Sequence, residues 1–353
     1  MLSGFDVQIV MRNGRFYIYS PEENTEIIEN ALNRLFGISG WAQTKNIGKT
    51  TDEVLSSCLE EGKKLYETGY KTFKIEARRT DKSFPLDSYE LKCKCGDIIC
   101  ENIPGLKVDV HNPQAHIQIE IREKAYIYSN AKRGLCGLPV GTAGRGLLLL
   151  SGGIDSPVAG FLMAGRGMKI DAVHFHTYPY TSDEAKQKTI NLAKIIGSYC
   201  MGIHLFMINL TGIQKRIKEN SPMPWATVLL RMAMMECAEK IAGKNKCKSI
   251  ITGESLSQVA SQTIENLTCT QAHVSLPVLR PLIGLNKETI IKKAEQIGTY
   301  ATSIEPYQDC CVLFNPPRPI LHGNPAEALN LYKNLELETF IKEALNEYEE
   351  VWC

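Results

Sequence analysis

The chain has 353 residues, of which 44% are hydrophobic and 22% are charged. This composition is typical of a folded globular protein and excludes disordered, collagen-like and coiled-coil chains. The 40 Lys and Arg residues nearly balance the 39 Asp and Glu residues, for a net charge of +1, which excludes a globally basic nucleic-acid binder. At about 100 to 200 residues per domain, the length predicts two or three domains.

The cysteines and the apolar stretches predict a cytoplasmic protein. The twelve cysteines are spread along the chain and fall well short of the roughly 8–10% that is typical of disulfide scaffolds. The N-terminus lacks the basic and apolar segments of a signal peptide. The longest apolar stretch, 146–165, is interrupted by Ser151-Gly152-Gly153 and by Asp155, which a membrane-spanning helix rarely tolerates. We therefore expect no membrane association.

The first segment predicts a small α+β module. Apolar and polar residues alternate over 5–20 on both sides of Asn13-Gly14, which is typical of a β-hairpin. Apolar residues at helical spacing predict a helix over 27–35 that ends at Gly37.

A second α+β unit is predicted over 51–130. A helix from Thr51 leads to a strand at 72–77, and further strands are predicted at 107–110, 117–121 and 125–128. The most basic stretch of the chain lies here, and its only acidic residues are Glu76 and Asp81. Its basic residues are Lys71, Lys74, Arg78, Arg79 and Lys82. Such a run is typical both of a solvated face and of an RNA-binding face.

A glycine-rich linker at 134–146 precedes a segment of different character. Short apolar runs typical of buried parallel strands occur at 147–150, 169–176, 203–208 and 249–252. They alternate with helical patterns at 157–165, 183–197, 225–242 and 286–297. This alternation predicts a doubly wound α/β domain. The tail from Asn324 predicts a terminal amphipathic helix with an acidic outer face.

The first predicted strand runs directly into Ser151-Gly152-Gly153-Ile154-Asp155-Ser156-Pro157. Ser156 suits an N-cap, and Pro157 suits the first helical position. Glycines and a helix N-terminus together favour an anion such as phosphate. The segment lacks the Gly-Lys-Ser/Thr of a Walker A loop. A tight strand-to-helix turn is the structural alternative, but Asp155 beside a triphosphate makes sense chiefly as a magnesium ligand.

These residues resemble a known family. The loop 151–156 (SGGIDS) matches the PP-loop of the N-type ATP pyrophosphatases, which adenylate a carbonyl oxygen and release pyrophosphate. Four further segments resemble the tRNA 4-thiouridine synthetase (ThiI) family: 174–178 (HFHTY), 181–188 (TSDEAKQK), 253–263 (GESLSQVASQT) and 277–282 (PVLRPL). Segments 74–79 (KIEARR), 109–113 (DVHNP) and 137–141 (GLPVG) are similar to the RNA-binding THUMP domain and the linker of that family.

The resemblance implies an order of domains. It implies a partial N-terminal ferredoxin-like domain at 1–50, because family members usually begin with an additional strand and helix. A THUMP domain at 51–133, a glycine-rich linker at 134–146 and a PP-loop ATP pyrophosphatase domain at 147–353 follow.

The resemblance also implies site residues. Asp155 is implied as catalytic and as the ligand of magnesium in Mg-ATP. The implied contacts of ATP are Leu149, Leu150, Ser151, Gly152, Gly153, Ser156, His174, Phe175, Arg231, Gly253 and Gln262. From the residues alone, His174 suits a core position and Arg231 a helix surface. Arg78, Arg79 and Lys82 are implied as tRNA contacts.

Vicinal cysteines follow Asp309. In the family a cysteine at this position accepts or resolves the transferred sulfur, and we favour Cys310 over Cys311. Two buried thiols acting as small hydrophobes are the alternative. Cys93, Cys95 and Cys100 lack a Cys-x-x-Cys pattern and a matching His pair, so we interpret them as structural and expect no zinc or iron–sulfur cluster.

The expected function is an ATP- and Mg²⁺-dependent tRNA uracil 4-sulfurtransferase. Some family members carry a C-terminal rhodanese domain, and we expect none here because the sequence ends in a predicted helical tail; a cysteine desulfurase or free sulfide is therefore the expected donor. The thiamine sulfur-carrier protein is a further candidate partner, and the family forms homodimers. One alternative is a PP-loop thiolase acting on another nucleoside. The other is a tRNA-binding protein with a vestigial ATP site, against which the intact loop argues.

Overall fold

The computed structural model describes residues 4–307 and 316–353. The predicted sulfur-carrying residues, Cys310 and Cys311, lie outside these ranges. The chain divides into two compact units, and the second of them, 39–134, is inserted between the two segments that form the first.

Residues 4–38 contain the predicted hairpin. Strands β1 (Gln8–Arg12) and β2 (Arg15–Tyr19) pair antiparallel. Asn13 and Gly14 have φ values of 49° and 74°, the left-handed pair that a type I′ turn requires. Helix α1 (Thr25–Leu32) follows and is shorter at its C-terminal end than predicted. The apolar face of the hairpin is exposed at Ile9, Met11 and Phe16.

The inserted unit contains a five-stranded mixed sheet, a two-stranded sheet and two helices. In chain order it consists of β3 (Gly40–Trp41), β4 (Lys45–Ile47), α2 (Thr51–Glu67), β5 (Thr72–Arg79), α3 (Ser88–Asn102), β6 (Lys107–Val108), β7 (Ala115–Ile121), β8 (Ala125–Ser129) and β9 (Lys132–Arg133). The five-stranded sheet has the order β4-β8-β7-β5-β6. Val54 of α2, Leu91 and Ile99 of α3 and Phe73 and Ile117 of the sheet share one buried core. The core holds α2 and α3 on the sheet.

Residues 135–353 contain a six-stranded sheet. Its strands are β10 (Arg145–Leu149), β11 (Lys169–His176), β12 (His204–Asn209), β13 (Ile250–Ile251), β14 (Val278–Leu279) and β15 (Glu349–Trp352). The order is β14-β13-β10-β11-β12-β15. All neighbours are parallel except β15, which is antiparallel to β12.

Helices cover both faces of this sheet. They are α4 (Asp155–Gly165), α5 (Asp183–Cys200), α6 (Thr211–Asn220), α7 (Ala226–Lys244), α8 (Ile264–Gln271), α9 (Lys287–Ile297), α10 (Tyr300–Ser303), α11 (Pro325–Asn334) and α12 (Glu338–Ala344). Leu147 packs in a core with Leu229 of α7, whereas its neighbour Leu148 packs in a second core with Val158 of α4 and Ile290 of α9. This alternation confirms the predicted doubly wound α/β fold.

The predicted single terminal helix is wrong. The tail forms the two short helices α11 and α12 and then the edge strand β15. In β15, Glu349 and Glu350 are exposed and the half-buried Val351 packs against the sheet core. Backbone pairing with β12, a contact distant in sequence, stabilises this segment as a strand. Across residues 4–307 and 316–353, every helix is too short or too polar to span a bilayer.

Candidate active site

The candidate site lies where the direction of strand order reverses. The chain proceeds from β10 to β11 and β12, and then crosses to the other side of β10 to form β13 and β14. In open α/β sheets, ligands bind outside the carboxyl ends of the strands at such a switch point. The segment 151–156 follows β10, and Gly253 follows β13. Both predicted ATP-binding segments therefore lie at the carboxyl ends of adjacent parallel strands, β10 and β13.

The loop after β10 is held by its two serines. The backbone N–H of Ser151 donates to Ser156 Oγ at 2.9 Å, and the two hydroxyl oxygens are 3.0 Å apart. Gly153 N–H donates to Ser151 Oγ at 3.3 Å. Helix α4 begins at Asp155 with Ile154 as its N-cap, so the predicted N-cap role of Ser156 is wrong. The Ser156 hydroxyl turns back to the loop and fixes its shape.

Asp155 has two side-chain partners from distant parts of the chain. Its Oδ1 is 2.7 Å from Lys287 Nζ, at the start of α9. Its Oδ2 accepts a hydrogen bond of 2.9 Å from Gln258 Nε2. The Asp155 side chain retains 21% of its exposure and lines the cavity described below. The carboxylate is therefore accessible to a ligand and already pairs with a cation.

Gly253 permits the close approach of two elements. A Cβ atom placed there would lie 2.6 Å from the backbone N of Ser156 and 2.8 Å from its Cα. Real Cβ atoms do not approach backbone this closely, so a side chain would push the loop away from β13. The glycine keeps the loop and the end of β13 in contact.

A cavity of about 320 Å³ opens between these elements. Its walls include every residue predicted to contact ATP except Gly152, which lies within the same loop. Sequence reasoning did not predict five other wall residues: Met234, Met235, Thr252, Glu254 and Thr270. A cavity of this size, with apolar walls and a few polar groups, suits a small organic ligand.

The wall contributed by β11 has a fixed imidazole. His174 is buried, and its Nδ1 is 3.0 Å from the carbonyl oxygen of Leu150. A carbonyl only accepts, so Nδ1 carries the proton in this hydrogen bond. Phe175 is also buried. His174 is therefore a buried residue, as the core interpretation predicts, and it also lines the cavity in which ATP binding is predicted.

Arg231 belongs to a buried ionic cluster. From α7 its Nη2 donates to Glu254 Oε1, and its Nη1 donates to Ser261 Oγ at 3.2 Å. Glu254 Oε2 accepts from Arg280 Nε at 2.7 Å and from Thr252 Oγ1 at 2.8 Å. Burial acts to raise the pKa of Glu254, but the two guanidiniums hold that pKa below its usual value. Glu254 therefore remains a carboxylate.

Long-range contacts explain which residues sequence reasoning missed. Lys287 and Gln258 reach Asp155 across separations of 132 and 103 residues. Their only local signals are the N-terminal position of Lys287 in α9 and the presence of Gln258 in the family-like segment 253–263. Among the described residues, no group of three or more His, Cys, Asp or Glu side chains forms a metal site by itself.

The predicted tRNA contacts lie in the inserted unit. Arg78 and Lys82 are exposed. Arg79 is half-buried, and its Nη1 donates to the carbonyl oxygens of Phe84 and Leu86 at 2.8 and 2.9 Å. Arg79 thus holds the loop that presents Lys82, and its contact with tRNA stays a prediction.

Comparisons with known proteins cover nearly the whole chain. A family model described as "Thiamine biosynthesis protein (ThiI)" matches residues 141–337, and a THUMP domain model matches residues 48–130. The chain is 46% identical over 347 residues to a probable tRNA sulfurtransferase of Treponema pallidum (strain Nichols), covering 98% of this chain and 86% of the relative. It is 43% identical over 345 residues to a probable tRNA sulfurtransferase of Alkaliphilus metalliredigens (strain QYMF), covering 98% and 88%.

A solved structure has the same fold. A 4-thiouridine synthetase in complex with RNA and bound ATP superposes with a TM-score of 0.92 at 35% identity, covering 98% of this chain and 90% of that one. The PP-loop and the THUMP-like segments were the basis of the sequence resemblance, and the family matches fall on both. The chain belongs to the ThiI family.

Proposed function

We propose that this chain is an ATP-dependent tRNA sulfurtransferase that converts a tRNA uridine to 4-thiouridine. One observation carries the proposal: the glycine loop, Asp155 and the predicted ATP contacts line a single cavity at the switch point of the sheet. The family membership and the likeness to an ATP-bound 4-thiouridine synthetase support it.

The cavity has groups suited to each part of ATP. The loop N–H groups and the α4 N-terminus favour the phosphates. The loop lacks a lysine of its own, and Lys287 of α9 supplies an ammonium group beside Asp155. Phe175, Met234 and Met235 offer an apolar wall for the adenine ring. Arg231 provides a second cation for the phosphate chain.

Asp155 also fits a magnesium ion. Mg²⁺ is usually bound by one or two carboxylates together with substrate phosphates, and Asp155 is a partly exposed carboxylate in the cavity wall. When bound with ATP, the ion offsets the negative charge of the triphosphate. The Asp155 carboxylate would hold the ion and would then give up its contacts with Lys287 and Gln258.

The reaction consists of an activation and a substitution. The uridine O4 attacks the α-phosphorus of ATP, the α–β phosphoanhydride bond breaks, and pyrophosphate leaves. Adenylation replaces a poor leaving group at C4, the O4 oxygen, with a good one, AMP. The terminal sulfur of a persulfide on Cys310 then bonds to C4 and displaces AMP, which leaves a disulfide between Cys310 and the base; Cys311 is the alternative carrier. A thiol attacks the cysteine sulfur of that disulfide, so that 4-thiouridine leaves, and an external thiol reduces the protein disulfide that forms. Where free sulfide is the donor, it displaces AMP directly. Both cysteines lie outside the described residues, so their roles are carried over from the family resemblance.

The proposed partners follow from the same assignment. The inserted unit, with Arg78 and Lys82 exposed, holds tRNA. A cysteine desulfurase supplies persulfide, two copies of the chain form a homodimer, and the enzyme works in the cytoplasm without a zinc or iron–sulfur cluster. Delivery of sulfur to a thiamine sulfur-carrier protein is a second proposed role, favoured by the description of the family that matches residues 141–337.

The test is nucleoside mass spectrometry. Unmodified tRNA is incubated with the protein, ATP, Mg²⁺ and sulfide, beside an Asp155→Ala control. The expected result is 4-thiouridine with the wild type only. A thiolated base other than 4-thiouridine would identify a PP-loop thiolase of different specificity. Binding of tRNA without ATP turnover or thiolation would favour a vestigial ATP site.

A further inference from the structure

The ionic cluster at the end of β13 contains one carboxylate and two guanidiniums. Glu254 is 3% exposed, and its two oxygens are divided between the arginines, with Oε1 on Arg231 and Oε2 on Arg280. The cluster thus carries a net charge of +1, obtained from two positive groups and one negative group. A partly buried excess charge of this kind favours an anionic ligand.

The two arginines have different positions relative to the cavity. Arg231 and Glu254 belong to its wall, whereas Arg280 does not. Arg280 Nη1 donates to Gln271 Oε1 at 2.7 Å, which ties Arg280 to α8. Its Nη2 is buried and has no hydrogen-bond partner within residues 4–307 and 316–353. Arg280 therefore faces Glu254 from the protein side, and Arg231 faces it from the cavity side.

We propose that Glu254 is a positioning residue that holds the Arg231 guanidinium toward the nucleotide phosphates, and that Arg280 orients Glu254 for this purpose. The inference rests on the proposed ATP site. Arg231 has a long, flexible side chain, and ordering it before ATP arrives removes that entropy cost from binding. The Glu254 carboxylate fixes one edge of the guanidinium and leaves other N–H groups for an anion.

The test compares ATP and tRNA affinities in the full chain. We expect Glu254→Gln, which keeps the shape and removes the charge, to raise the Kd and KM for ATP about tenfold, with the KM for tRNA unchanged. Asp171→Asn is the matched control, because Asp171 is a buried carboxylate 3.1 Å from Arg145 and lies outside the cavity wall. It should leave the KM for ATP unchanged.

A double-mutant cycle separates positioning from general support of the fold. If Glu254 acts through Arg231, adding Glu254→Gln to Arg231→Ala should change the ATP affinity by less than about twofold. An equal loss in both backgrounds overturns the proposal, as does a folded Glu254→Gln variant with wild-type KM for ATP.

A second variant covers the case in which Glu254→Gln does not fold. Glu254→Asp keeps the charge between the arginines and withdraws the carboxylate by one methylene, so a raised KM for ATP with unchanged KM for tRNA is expected. Wild-type affinity for ATP in that variant overturns the proposal. Failure of the wild-type protein to bind ATP would instead refute the proposed function, and it is measured before any variant.

Discussion

At the scale of residues, the pairing of Asp155 with Lys287 gives a sharp prediction. Lys287 supplies the cation that the glycine loop lacks, 2.7 Å from Asp155. Lys287→Ala should lower the rate of pyrophosphate release about a hundredfold, because the phosphates lose a charge-assisted partner. Pyrophosphate release at saturating tRNA is the measurement.

Lys292→Ala is the matched control for this change, since Lys292 is exposed on the same helix but is not one of the two side-chain partners described for Asp155. It should retain the wild-type rate. Retained turnover in Lys287→Ala would show that this ammonium group does not serve the phosphates. The tRNA affinity should be the same in both variants and in Asp155→Ala.

His176 makes stability depend on pH. Burial lowers its pKa from 6.5 to about 4, and Lys186 and Glu349 line the same cavity as its side chain. Between pH 6.5 and 4 the unfolded chain binds a proton that the native chain does not, so stability falls as the pH falls. Because the side chain is partly solvated, we expect a contribution of only about 1–2 kcal/mol.

The measurement is urea unfolding at pH 7 and pH 4.5. The wild type should lose more free energy of unfolding between these values than His176→Gln does. An identical loss in both proteins would mean that His176 does not titrate differently in the two states.

Sequence reasoning predicted local features of the site better than distant ones. The 151–156 loop was evident because its glycines, its carboxylate and its helix start are contiguous. Glu254 lies beside the predicted Gly253, yet its role depends on Arg231 and Arg280, which are 23 and 26 residues away. No local pattern encodes such a pairing.

At the scale of elements, the packing of β13 against the start of α4 depends on Gly253. Gly253→Ala would place a methyl group 2.6 Å from Ser156 N, so the loop must move. We expect a loss of about 1–3 kcal/mol in stability and at least a tenfold loss of ATP affinity, measured by urea unfolding and by calorimetric titration.

Gly243→Ala is the comparison for this variant. Gly243 lies in α7, and a Cβ atom placed there meets nothing within 4 Å, so alanine should be neutral or stabilising by up to about 1 kcal/mol. Equal ATP affinities in the two variants would contradict the packing argument.

The elements that sequence reasoning found share a clear signal, and those it missed do not. Strands β10, β11 and β12 have five to eight residues with mostly buried side chains, α5 is an amphipathic helix of 18 residues, and α7 is a largely apolar helix of 19 residues. Helix α3 was missed because its buried face is built partly from Cys95 and Gly96, which give little periodicity. Strand β15 is only four residues long.

At the scale of the whole molecule, a net charge of only +1 must be reconciled with tRNA binding. The proposed solution is a local basic face in the inserted unit. Arg78→Ala and Lys82→Ala should each weaken tRNA binding and lower the slope of log K against log salt concentration by about one. The ATP affinity should not change.

Lys248→Ala is the control for charge, because Lys248 is exposed and precedes β13 at the amino edge of the other unit's sheet. Binding titrations over a series of salt concentrations provide the measurement. An unchanged salt slope in both Arg78→Ala and Lys82→Ala would remove these residues from the interface.

The insertion of one unit into the other has a consequence for synthesis on the ribosome. Phe36 is buried with its ring 5.0 Å from that of Phe161, and the complete inserted unit separates them in the chain. At translation rates of roughly 5–20 residues per second, the N-terminal segment emerges many seconds before its packing partner. The inserted unit can fold during that interval, whereas Phe36 has no packing partner until the segment that contains Phe161 has been synthesised.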